Sequence, residues 1–154
     1  MNYDLSLLEA ANNVSLCSAY YELCNNYPHI PGSGSKKTPF KEILAAAEGK
    51  IILSKIRGPG TVFQVGGLPE WVSLNIIIQS GGSVETDIII QHPQQEYRAT
   101  FAILSNETLK NSGLSEKNPG YPRPICASAN DMVIVIARLR ELTIALAKAV
   151  LNVG

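Results

Sequence analysis

Five stretches of β-forming residues, Lys50–Ile56, Thr61–Val65, Val72–Gln79, Val84–Gln91 and Tyr97–Leu104, follow one another with only short breaks between them. The breaks are built on Gly58-Pro59-Gly60, Gly66-Gly67, Gly81-Gly82 and Pro93. Connections that short cannot hold the crossover helix that parallel neighbours need, so consecutive strands must pair through hairpins. The middle of the chain is therefore expected to be an antiparallel meander of about five strands. Ile76-Ile77-Ile78 and Ile88-Ile89-Ile90 lack the alternation of a sheet with one wet face, which predicts that part of the sheet is covered on both sides.

Helical periodicity flanks this block. From Asp4 to Asn25, Leu7, Ala10, Ala11, Val14, Cys17, Tyr21 and Cys24 recur at i, i+3, i+4 and i+7, with Ser6 and Glu9 spaced as a capping box. Asn12-Asn13-Val14-Ser15 are poor helix formers, so the segment reads either as one helix or as two with Ser15 capping the second. A second helix is expected with Thr38 as N-cap, Pro39 in its first position, Ala45–Ala47 inside it and Gly49 as its left-handed C′ residue. The last runs from Asn130 to Asn152, and only Arg138, Glu141, Ala145, Lys148 and Asn152 make a wet face. It should bury more than half its circumference, either between the sheet and the first helix or across a homodimer interface. The order predicts one α+β domain over residues 1–154: N-terminal helices, a central antiparallel sheet and a long apolar C-terminal helix packed on it.

Composition narrows the function classes. Thirteen Lys and Arg balance thirteen Asp and Glu, and no dense basic run exists, which argues against nucleic acid or an anionic membrane surface as partner. Zero net charge also weakens repulsion between copies, so a homo-oligomer is expected to be accessible, with the C-terminal helix as its contact. That helix carries Arg138, Arg140, Glu141 and Lys148, too many charges for a bilayer span. Cys17, Cys24 and Cys126 match no disulfide or zinc spacing and no basic-then-apolar leader is read before them, so a cytoplasmic location is expected.

For chemistry, the most coherent set is Cys17, His92 and Asp87. If a helix restarts at Ser15, Cys17 lies in its first turn, where the dipole favours a thiolate; His92 could act as base and Asp87 as its orienter. Papain-like amidases use a Cys opening a helix with a His from a strand, but here Pro93 follows the His and no Gly neighbours the Cys. Five positions also put Asp87 and His92 on opposite faces of a regular strand. Cys24 and His29 lack two further ligands, so no metal site or cofactor is expected. Glu85 and Asp87 read as solvated charges on one strand face. Pro31–Thr38 is glycine-rich before a helix, yet it misplaces both the Lys and the Gly of a phosphate-binding loop and follows no strand.

The segment Ser105–Ala129 is long for a connection and holds Asn118-Pro119-Gly120 and Pro122-Arg123-Pro124, so it contains either a short helix near Glu107–Ser112 or a recognition segment. Its Tyr121 and Arg123, with Trp71 before the third strand, are the residue types that anchor interfaces. The expectation is a binding module of inhibitor, immunity or adaptor type that works on another protein. The alternatives are a thiol hydrolase built on Cys17, and a small-ligand carrier with a pocket between sheet and last helix.

Overall fold

In the computed structural model, which describes residues 3–28, 38–114 and 121–153, the amino-terminal segment forms two helices, α1 (Leu5–Asn13) and α2 (Leu16–Asn26). The break falls at the Asn-Asn-Val-Ser run, and the hinge is Ser15, which takes a left-handed backbone at φ 54° and ψ 39°. A side chain there crowds the following carbonyl, at a cost of roughly 1 kcal/mol. Ser15 offers no capping bond in return, although its carbonyl accepts the Ala19 N–H at 3.1 Å. The expected box of Ser6 and Glu9 does not form. Asp4 is the N-cap instead, its Oδ1 accepting the Ser6 N–H at 2.8 Å, because Asp4 lies one residue before the first helical turn.

Helix α3 (Phe40–Ala47) starts one residue later than Thr38 and Pro39 suggest, with Pro39 as its N-cap, and ends as expected before Gly49 at φ +75°. Strands β1 (Leu53–Lys55), β2 (Thr61–Val65), β3 (Val72–Ile78), β4 (Val84–Gln91) and β5 (Glu96–Ala99) form an antiparallel sheet in the order β1-β2-β3-β4-β5. The isoleucine triplets alternate after all: Ile76, Ile78, Ile88 and Ile90 are buried, while Ile77 and Ile89 are half-buried on the opposite face. Buried strand residues from Phe63 to Ala99 share the inner face, except Glu85, so two-sided cover is not what the triplets signify. In a three-residue run the middle side chain faces outward whatever its hydropathy.

The fifth run is shorter than the sequence suggests. At Thr100 the chain turns into α4 (Phe101–Asn111), where Phe101, Leu104, Ser105 and Thr108 bury one helical face. Thr86 on β4 fixes the switch, its Oγ1 accepting the Phe101 N–H at 3.1 Å. Strand propensity at Tyr97–Leu104 thus yields to a helical period that begins at Phe101. Helix α4 also claims the first part of the expected long connection.

Helix α5 (Ala129–Asn152) opens on Ser128, whose Oγ accepts the Asp131 N–H at 3.1 Å. It packs against β3 and β4 on one side and α1, α2 and α3 on the other, so its stripe is spent inside the fold. Met132, Val135, Ile136, Leu139, Leu146 and Ala147 are fully enclosed. Near the end of the helix Leu151 is 52% exposed. Arg140 leaves this helix to donate to the carbonyls of Gly66 (3.1 Å) and Gly67 (2.6 Å), tying the β2–β3 connection down.

Two glycine-related predictions follow from the backbone. Ser15→Gly should raise unfolding free energy by about 0.5–1 kcal/mol in urea titration, because it removes left-handed strain without removing a cap. Gly82 has φ +85°, and a Cβ on it would strike the Cys126 carbonyl oxygen. Gly82→Ala should therefore cost about 2–4 kcal/mol by the same assay.

Candidate functional site

The carboxyl-proximal part of the long connection, Tyr121–Cys126, is irregular in form but tightly held. Val84 N–H donates to the Pro124 carbonyl (2.9 Å) and Cys126 N–H to the Gly82 carbonyl (2.9 Å), so the segment bridges antiparallel to the start of β4 at Ser83 and Ile125. The Ile125 N–H donates to the Tyr27 carbonyl beyond α2 at 2.8 Å. Tyr20 on α2, fully buried and stacked on Phe101 at 5.5 Å, donates its hydroxyl to the Pro122 carbonyl at 2.8 Å. Prolines 122 and 124 contribute carbonyls alone to this scheme, which is all that proline can offer.

This scaffold presents Tyr121 and Arg123 together. The Tyr121 hydroxyl donates to Oε2 of Glu85 at 2.7 Å, and Oε1 of the same carboxylate accepts the Thr86 N–H at 3.0 Å. The Arg123 guanidinium lies over the Tyr121 ring at 5.5 Å and donates to Oε1 of Gln79. Burial, followed by the hydrogen bond to Glu85, raises the Tyr121 phenol above its ordinary pKa, so the ring stays neutral near pH 7. Tyr121 remains 43% exposed. Beside the pair is a hollow of about 290 Å³, lined chiefly by Tyr21, Cys24, Pro28, Pro122 and Ile125, in which Arg123 is the one charged residue among those described.

The expected catalytic set is spread over different surroundings. Cys17 does fall in the first turn of α2, yet it is 8% exposed and packs with Tyr21 and Leu109. His92 sits in the β4–β5 turn, where Nδ1 accepts the Gln94 N–H at 3.2 Å and the ring meets Tyr97 edge-on at 6.3 Å. Asp87 is on the outer sheet face opposite Asn75, while Ile88 and Ile90 beside it face the core. Trp71 is half-buried against the core, its carbonyl accepting the Gln91 N–H, at the end of β3 away from Gln79. That strand is seven residues long, so the Trp71 backbone lies roughly 20 Å from the Tyr121 site. Leu74, Ile76, Ile88, Met132, Ile136 and Leu139 occupy the space between sheet and α5, where a carrier's pocket would lie.

Glu85, Tyr20, Gln79 and Gly82 carry the site, and none of them reads from the sequence as part of one. Glu85 in particular is buried rather than solvated, because its partner Tyr121 comes from 36 residues away. Among the described residues no three His, Cys, Asp or Glu side chains gather as a metal would require, and no helix is long and apolar enough to cross a membrane. His29 and the loop Pro31–Lys37 lie outside the described residues. Compared with protein-family models, curated proteins and solved structures, the chain has no match in any of the three.

All three cysteines are buried thiols. Burial pushes Cys24 and Cys126 each up to about 12. Iodoacetamide at pH 8 should therefore label none of the three in the folded protein at more than about a hundredth of the rate in denaturant, residue by residue in mass spectra. Fast labelling of Cys17 would show that its first-turn position is open to reagents.

Proposed function

We propose that the chain is a protein-binding module whose contact surface is centred on Tyr121 and Arg123. The observation that carries this reading is the fastening of an irregular, proline-containing segment by bonds from α2, β4 and the Tyr27 carbonyl. A surface loop needs none of these bonds merely to connect two helices. Their effect is that Tyr121 and Arg123 are held before any partner arrives, so docking loses little side-chain and loop entropy. Tyrosine and arginine at the rim of an apolar hollow are the residue types that dominate interface energies.

The charge of the hollow indicates the partner's chemistry. Arg123 is its sole described charge, and an apolar side chain flanked by a carboxylate fits it best: the apolar group enters between Tyr21, Pro28 and Ile125, and the acid meets the guanidinium.

A photo-crosslinking residue in place of Tyr121, compared with one in place of Leu114 (60% exposed), tests this in source cells. A discrete protein adduct from position 121, absent from 114 and lost with Arg123→Glu, is expected. With the purified partner, Tyr121→Ala should weaken binding about thirtyfold or more and Cys17→Ala should leave it unchanged. Equal adducts from both positions, or binding indifferent to Arg123→Glu, would overturn the proposal.

A further inference from the structure

Arg123 lines its hollow without an anion of its own. The side chain is half-buried and donates from Nη1 to Oε1 of Gln79, and among the described residues no Asp or Glu forms an ion pair with it. Glu85 does not serve, because its two oxygens accept the Tyr121 hydroxyl and the Thr86 N–H. A guanidinium carries five N–H donors, so most of its capacity is open. Two further polar side chains, Asn25 and Ser83, line the same hollow, and neither has a hydrogen-bond partner among the described residues. Groups able to donate to an anion thus meet apolar walls formed by Tyr21, Pro28 and Ile125.

The size of the hollow decides how the acid and the apolar group of a ligand are joined. About 290 Å³ is at the floor of the range for ligand pockets, roughly 300–1,000 Å³, so a single amino-acid residue fills it. In an extended segment adjacent side chains point to opposite sides, and residues two apart stand about 6.6 Å from each other. An internal Asp or Glu and its apolar neighbour therefore cannot both enter. A helix brings residues i and i+4 together, but on a rod about 10–12 Å wide that stays outside. Only the last residue of a chain bears a carboxylate and a side chain on one Cα.

We infer that the hollow takes the carboxyl terminus of the partner protein, an apolar last residue whose α-carboxylate meets Arg123, Asn25 and Ser83. This rests on the protein-binding reading of the Tyr121 site and narrows it to one end of the partner chain. The apolar side chain enters the walled part of the hollow, and the exposed Tyr121 ring is left for the residues that precede the last one. A charge-assisted bond to a terminal carboxylate discriminates sharply, since a carboxamide in its place has the wrong charge and turns a donor toward the guanidinium.

The test selects peptides, displayed with free carboxyl termini and four random final positions, on the full wild-type chain. Leu, Ile, Val, Met or Phe should be enriched at the last position. The best peptide, remade as its carboxamide or with one glycine added after the last residue, should bind about tenfold or more weakly than the free acid by fluorescence anisotropy. Arg123→Gln, shown to be folded by circular dichroism, should erase the difference between acid and carboxamide. The compound 4-methylpentanoate, an acid with a branched chain and no peptide bond, should bind at least tenfold more weakly than the peptide. Failure to enrich any terminal residue, equal binding of acid and carboxamide, or a small acid as tight as the peptide would each overturn the inference. A protein crosslinked from position 121 that binds undiminished after removal of its last residue would overturn this inference alone and leave the protein-binding reading standing. Absence of that adduct would overturn both.

Discussion

The structure depends on the enclosure of one helix. Helix α5 touches the sheet through β3 and β4 and carries α1, α2 and α3 on its other sides, so it joins the sheet to three helices that are distant from it in sequence. Each fully buried Leu, Ile, Val or Met along it contributes on the order of 1.5–3 kcal/mol relative to exposure. The single polar residue it buries completely, Thr143, donates its hydroxyl to the Leu139 carbonyl at 2.8 Å, so enclosure leaves no orphaned group there. A helix so used offers a partner little beyond Ile134 and Leu151, both exposed and set far apart along it. The remaining surface features of the fold lie on the elements at its periphery.

At that periphery, close backbone approach accomplishes what a strand would otherwise do. Strand β5 covers β4 only from Ile88 to Gln91, leaving the start of β4 with an open edge. Residues 124–126 fill part of that edge, which requires the chain to pass so near Gly82 that no side chain fits. Residues 121–126 are thereby fastened to the edge of the sheet, and Tyr121 and Arg123 are held within that stretch. Their own bonds run to Glu85 and Gln79, on and just beyond neighbouring strands, so the site is built across the sheet and not on the loop alone.

Legibility of the fold followed the range of the interactions that decide each part. The meander was readable because loop length is a local property, and the last helix because twenty residues of periodicity outweigh any one of them. The junction at Thr100 was not, since Phe101-Ala102-Ile103-Leu104 suits strand or helix and the deciding bond comes from Thr86. Nor was the outward turn of Ile77 and Ile89, which hydropathy alone does not reveal. Of the site, Tyr121 and Arg123 were legible as residue types on a braced segment. Glu85 was not, for a carboxylate two positions from Asp87 reads as solvent-facing until a tyrosine from a remote segment is laid over it.

Cys17 shows how a local signal can be present while its consequence is withheld. The chain does break after Asn13, at Val14-Ser15, the second helix does restart after Ser15, and Cys17 does occupy the first turn, as a dipole-assisted nucleophile would. The helix N-terminus adds on the order of 0.3–1 kcal/mol in favour of an anion there. What a nucleophile also needs is a substrate within reach, and the side chain is turned instead toward Tyr21 and Leu109 at the contact of α2 with α4. Its register on the stripe that includes Tyr21 and Cys24 fixes that direction, since residues spaced by four and seven share a helical face. Amphipathic register and helix-terminus chemistry thus made opposite demands on one side chain. Register prevailed because burying the stripe engages many contacts, whereas the dipole acts on one.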